Sequence, residues 1–208
     1  MLCIHTLPLG PLQTNCYVAH NASSAVVVDP GGDPAPVLAL LEQQGVKLTH
    51  VLLTHLHFDH TYGVAKLVEA TGAACYANAD DNYLLGLEIG AGGAWGFPKV
   101  PAYQPKALAE GSLELCGETC QIIATPGHTP GGLCFYFPKS SVVFVGDTLF
   151  ERSVGRTDLE GGNTETLLES IRTKLFTLPE NTTAYPGHGD STTIGDEVRN
   201  NPYVSDFA

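Results

Sequence analysis

Residues 51–63, "VLLTHLHFDHTYG", carry an apolar run into three histidines and an aspartate, His55, His57, Asp59 and His60. Protonated, the histidines would repel one another. Neutral, they offer several lone pairs to one small volume, and the chemistry that uses such a volume is cation binding. Three more apolar runs end the same way: "QIIATPG" in His128, "VVFVG" in Asp147 and "TAYPG" in His188. Imidazole and carboxylate without thiolate suit zinc, and also iron or manganese. His55 and His57 are two apart, so an extended segment points them the same way. With His128 they form a candidate three-histidine site. Asp59 and His60 fall where the chain turns into a helix, and with His188 they form a second. Asp147 has two oxygens and can serve both, which gives two divalent ions per chain, with a hydroxide between them as nucleophile.

Apolar strands must deliver these groups to one edge. In open layered sheets ligands bind at the carboxyl ends of strands. The pattern predicts strands near 2–7, 15–20, 25–29 and 49–54, then "AACYAN", "SLELC", "TCQIIATP", "LCFYFP", "SVVFVGD" and "TTAYPGH". Helices are expected over "APVLALLEQQG", "VAKLVEATG", "ADDNYLLGLE", about 164–177 and about 194–200. Residues 86–106 read as a long irregular loop whose Trp95, Phe97 and Tyr103 could line a substrate pocket, long loops often being functional. Strands followed by helices, twice over, suggest two equivalent halves.

The chain has 208 residues and a net charge of −12, enough length for a real core and the wrong sign for nucleic acid or an anionic membrane. No apolar stretch reaches membrane-span length, and the first residues lack a basic segment before an apolar one. A cytoplasmic location with reduced cysteines is therefore expected, Cys116 and Cys120 included. His5, His20 and His50 read as packing histidines.

The motifs "THLHFDH", "PGHT", "VGDTLF" and "YPGHG", in that order and with "TNCYV" and "VVDPGG" upstream, resemble the metallo-β-lactamase-fold hydrolases. The resemblance spans essentially the whole chain, so residues 1–208 are expected to form one hydrolase domain. It implies an α+β fold, a four-layer αββα sandwich of two mixed sheets with helices outside. It assigns His55, His57 and His128 to one ion, Asp59, His60 and His188 to the other, and Asp147 to both. Asp29 would support the site from behind, or act as a turn residue.

Within that superfamily the chain looks most like short type II glyoxalases, which implies hydrolysis of an anionic thioester. The Cys-Gly-Lys segment of the larger enzymes is replaced by "RSVGR" here, so the thiol carrier stays open. Asp59 either accepts a proton during attack or is a ligand only. Arg152 and Arg156 could grip the substrate anion, or Arg156 could pair with Asp158. The alternative on the same fold is a persulfide dioxygenase with a single iron on His57, His128 and Asp147 or their neighbours.

Overall fold

The computed structural model describes residues 2–94 and 96–204. The first sheet contains β1 (Cys3–Leu9), β2 (Thr14–His20), β3 (Ser24–Val28), β4 (Lys47–Leu52), β5 (Ala74–Ala77) and β6 (Lys106–Ala107), in that order. The second contains β7 (Gly111–Leu115), β8 (Glu118–Ala124), β9 (Leu133–Phe137), β10 (Val142–Gly146), β13 (Thr183–Pro186) and β14 (Thr192–Thr193), ordered β14-β13-β10-β9-β8-β7. A two-stranded ribbon, β11 (Leu149–Phe150) and β12 (Ser153–Val154), stands apart. The helices are α1 (Ala35–Gln44), α2 (Phe58–Thr61), α3 (Val64–Thr71), α4 (Glu88–Ala91), α5 (Thr164–Ser170) and α6 (Ile194–Asn200).

The strands are nearly all apolar because both faces are covered. In β3, Val26 and Val28 face the second sheet while Ala25 and Val27 face the helices. In β10, Val142 and Phe144 pack between the sheets, and Val143 and Val145 pack under α5 and α6. The period of two thus builds three apolar layers: Val37, Leu41, Val64 and Leu67 on one outer face, Phe135, Phe137 and Leu52 in the middle, and Leu167, Ile171 and Ile194 on the other face. This is the αββα sandwich.

Local signals set the helix ends. Gly45 closes α1 in the left-handed region at φ 63°, its N–H reaching Leu41 and Glu42 carbonyls. The Asn163 side chain caps α5 by accepting from Thr166 N at 2.9 Å.

Two expected elements differ. "ADDNYLLGLE" forms a 3₁₀ segment, Ala79–Gly86, followed by the single turn α4, because its apolar residues do not fall on one α-helical face. The stretch 86–106 is not wholly irregular either: it holds α4, a bridge between Gly92 and Lys99, and the start of β6. The helix expected over 164–177 continues beyond α5 as a π-turn, Ile171–Leu175. All six cysteines are free thiols, five of them buried and Cys3 exposed. Burial pushes the Cys75 thiol up to about 12, so such thiols stay inert.

β3 and β4 run parallel, as do β10 and β13, while β9 runs antiparallel to both β8 and β10. Hence β8, β10 and β13 point the same way, and the segments after them meet the one after β4 at a single edge.

Candidate metal centre

Each predicted ligand sits just beyond a strand end, and all seven converge. His55 Nε2 lies 3.1 Å from His57 Nδ1, which lies 3.1 Å from His128 Nε2. All three rings are buried. Around a tetrahedral ion with metal–nitrogen bonds of about 2.0–2.1 Å, adjacent nitrogens stand about 3.3 Å apart, close to these two edges, and all three donor atoms lie within 4.8 Å of one another. Beside them, His188 Nε2 is 3.2 Å from Asp59 Oδ2, and His60 Nε2 is 3.6 Å from the same oxygen. Asp147 stands between the groups: Oδ1 is 3.4 Å from His60 Nε2, and Oδ2 is 3.7 Å from both His128 Nε2 and His188 Nε2.

The decisive atom is His60 Nε2. Its partner nitrogen, Nδ1, donates to Asp29 Oδ2 at 2.9 Å, which leaves Nε2 as a bare lone pair in the neutral ring. That lone pair faces two carboxylates, and neither His60 Nε2 nor Asp147 Oδ1 has a hydrogen-bond partner among the described residues. Only a cation between them, proton or metal, makes this arrangement favourable. The donor set therefore fits divalent metal.

A ring of further contacts orients the ligands. Asp29, buried with φ 50°, also accepts from Thr54 N at 2.8 Å and Thr54 Oγ1 at 2.6 Å, so it supports the site and is more than a turn residue. His128 Nδ1 donates to the Arg156 carbonyl at 2.7 Å, and Thr14 Oγ1 donates to Asp59 Oδ2 at 2.8 Å. Asp81 accepts from Leu56 N at 3.3 Å, Thr129 Oγ1 at 2.8 Å and Gly131 N at 2.6 Å, tying the His55–His57 loop to the His128 loop. Thr14 opens the "TNCYV" motif but has no role at the site in the sequence reading, and Asp81 carries no motif signal. An Asp29→Ala protein should bind metal about 10- to 100-fold more weakly with its fold intact, as loss of such a supporting carboxylate does elsewhere; titration with a competing chelator checks this.

The charges fall into two groups. Burial, then repulsion from His60 and its neighbours, holds His55 well below its ordinary value. Burial and the nearby His128 lower His57 to about 3. Burial opposes charge on His60 and His188 too. For His60 it is outweighed by Asp59, Asp147 and Asp29, and for His188 by the Asp59 hydrogen bond and Asp147, so both are raised.

Stripped of metal, the protein should therefore be most stable near pH 6.5, the ordinary histidine value. Below that, the unfolded chain takes up protons that folded His55 and His57 refuse, for His57 down to about pH 3. Each costs up to about 1.4 kcal/mol per pH unit. Above it, folded His60 and His188 keep protons the unfolded chain loses, so stability falls until their raised values are passed. Metal displaces those protons, and the alkaline limb should vanish on loading. Urea midpoints measured across pH with and without metal test both limbs; equal alkaline slopes would contradict the assignment.

A cleft of about 840 Å³ opens onto the centre, lined by Leu12, Phe58, Ile89, Phe97, Phe150 and Arg156 among others. The Phe58 and Phe97 rings stand 5.0 Å apart. Trp95 lies outside the described residues. The structure places two of the expected substrate contacts elsewhere. Arg152 does not line the cleft: its guanidinium binds Glu197 Oε1 at 2.7 Å and Asp196 Oδ2 at 2.6 Å, and its N–H binds Glu197 Oε2 at 2.9 Å. Tyr103 packs against the first helical layer and faces Ala65, Val68 and Cys75, away from the cleft. Arg156 does line the cleft, and it also pairs with Asp158 at 2.7 and 2.8 Å.

The profile of the Metallo-beta-lactamase superfamily matches residues 9–188. The chain belongs to that superfamily. Superfamily members of known structure include BLEG-1, a B3 metallo-beta-lactamase, which is 38% identical, covers 97% of this chain and 99% of its own, and superposes with a TM-score of 0.91. TTHA1623, solved in a di-iron-bound form, is 41% identical over 96% of this chain and 99% of its own, with a TM-score of 0.87. Hydroxyacylglutathione hydrolase GloC of Haemophilus influenzae is 35% identical over 97% of this chain and 98% of its own length. The superfamily binds divalent metals, and this chain has His/Asp clusters whose donor atoms are close enough to hold such ions. Among the described residues, no helix is long and apolar enough to cross a membrane.

Proposed function

We propose that this superfamily member is a thioester hydrolase of the type II glyoxalase kind, working as one domain with two divalent ions, zinc foremost and iron or manganese as substitutes. The observation that carries the reading is the second donor group. His60 Nε2 confronts Asp59 and Asp147 beside a complete three-histidine set. A persulfide dioxygenase with one iron would leave that group idle. The di-iron form of TTHA1623 and the hydrolase name of GloC support the same direction.

Bound divalent ions supply Lewis acidity and water acidified toward neutral pH. His55, His57 and His128 would hold one, Asp59, His60 and His188 the other, with Asp147 between them, Oδ1 near His60 and Oδ2 near both His128 and His188. The apolar walls, Phe58, Phe97 and Phe150, exclude bulk water around the acyl group. A thiolate departs without obligatory protonation, so no buried acid is required.

Asp59 acts as a ligand. Its Oδ2 faces both His60 Nε2 and His188 Nε2 and also accepts from Thr14 Oγ1, so that oxygen is directed at the second donor group. Arg156 meets the substrate's anionic end at the mouth of the cleft. Arg156→Ala should raise KM for an anionic thioester about two- to tenfold at constant kcat and leave a neutral thioester unaffected. Arg152→Ala should instead lower stability with KM unchanged. Equal KM changes for both thioesters would reject the role given to Arg156.

The functional test is a panel of acyl-glutathione, acyl-coenzyme A and β-lactam substrates assayed with metal-loaded and chelated protein. Thiol release that needs metal and far exceeds lactam opening is expected. Faster lactam opening, or oxygen uptake with a persulfide, would overturn the reading.

A further inference from the structure

A second cluster of donors lies far from the cleft. β1 and β2 pair antiparallel with Cys3 opposite His20, and His5 follows Cys3 by two. All three side chains therefore share the face that carries Leu7, Cys16 and Val18. Cys3 is exposed, His5 half-buried and His20 buried, and their donor atoms all lie within 4.8 Å of one another. His5 Nε2 and His20 Nε2 are 3.2 Å apart, and Cys3 Sγ is 3.5 Å from His5 Nε2.

Zinc bonds of about 2.0–2.1 Å to nitrogen and about 2.3 Å to sulfur, at tetrahedral angles, require edges of about 3.3 Å and about 3.6 Å. The two measured edges agree with these. The rings are parallel within 9°, and His20 Nδ1 lies 2.9 Å from the Asn21 carbonyl. A carbonyl only accepts, so Nδ1 carries the hydrogen and Nε2 presents a lone pair, as a metal-ligating histidine does. Asn21 is itself fixed, its side chain accepting from Ser23 N at 2.9 Å and Ser24 N at 2.8 Å.

We propose that Cys3, His5 and His20 form a separate tetrahedral site for a zinc-class cation, with water as the fourth ligand. On binding, the Cys3 thiol releases its proton to solvent and both imidazoles stay neutral; nothing is oxidised or reduced. The site clamps the edge strand β1 to β2. It is remote from the catalytic cleft, since β2 runs about 20 Å from Thr14, which touches Asp59, to His20. It does not depend on the reaction proposed above.

Cobalt(II) added to the full-length protein tests it. The seven residues of the cleft include no sulfur, so thiolate-to-cobalt charge-transfer absorption reports this cluster alone. With the cleft already filled by two equivalents of zinc, one further equivalent of cobalt should give the band, excess zinc should remove it, and Cys3→Ser or His20→Ala should abolish it while hydrolysis and circular dichroism match the parent. Absence of the band in the parent, or its survival in Cys3→Ser, would overturn the proposal. Alkylation of the parent is a second readout that needs no folded variant: zinc should slow iodoacetamide labelling of exposed Cys3 at least about tenfold. An unchanged rate would overturn it equally.

Discussion

An Asp147→Asn protein should lose about a thousandfold or more in thioester hydrolysis and hold fewer than two ions in the cleft, while remaining folded. Asp147 stands against both donor groups, with Oδ1 toward His60 and Oδ2 toward His128 and His188. An amide keeps the shape but removes the charge, and whichever way it turns it presents N–H where one group needs a lone pair. Loss of a single well-placed electrostatic group costs about 10²–10³ in rate; here two donor groups lose their common member. Asp147 is also held below the usual carboxylate range, because His60 and His128 outweigh its burial, so the charge removed is one the site is built around. Metal analysis, circular dichroism and kcat together check the outcome. Two ions and parental kcat in the variant would remove Asp147 from the centre.

Gly187→Ala should cost about a hundredfold in activity through a single methyl group. A Cβ there would overlap Asp147 Oδ1 and stand 2.6 Å from His60 Cε1. The glycine cannot retreat: its N–H donates to the Gly146 carbonyl at 2.8 Å, and its carbonyl accepts from Asn15 N at 2.7 Å. His60 is tethered to Asp29, so displacement falls on the ligands themselves, and a shift of about 1 Å at a reacting centre is worth about 10² in rate. Gly86→Ala is the control, since nothing lies within 4 Å of a Cβ at that position, and its activity should match the parent. Parallel loss in both variants would show a general glycine effect in place of crowding at the site.

Much of this was legible in the sequence because both fold and site are written in short-range patterns. Uninterrupted apolar runs in "AVVVD" and "VVFVG" mark strands covered on both faces, and a His or Asp directly after an apolar strand marks its exposed end. The superfamily motifs added the sandwich. What stayed hidden depends on residues distant in sequence. Arg152 looked available until Glu197, 45 residues on, took its guanidinium. Tyr103 looked like a cleft residue until the 86–106 stretch folded beside α3 and packed it against the first helical layer. Asp81 joins a loop 25 residues before it to one 50 residues after it, and no spacing rule announces that. His5 and His20 read as packing histidines because only the β1–β2 register sets them beside Cys3. The two-residue strand β6 leaves no periodicity to read at all.

Anomalous X-ray scattering from crystals loaded with zinc, iron or manganese tests the centre most directly. Two peaks are expected in the cleft, one among His55, His57 and His128 and one among Asp59, His60 and His188, with Asp147 reaching both. A single peak, or none among these seven side chains, would contradict the dinuclear assignment.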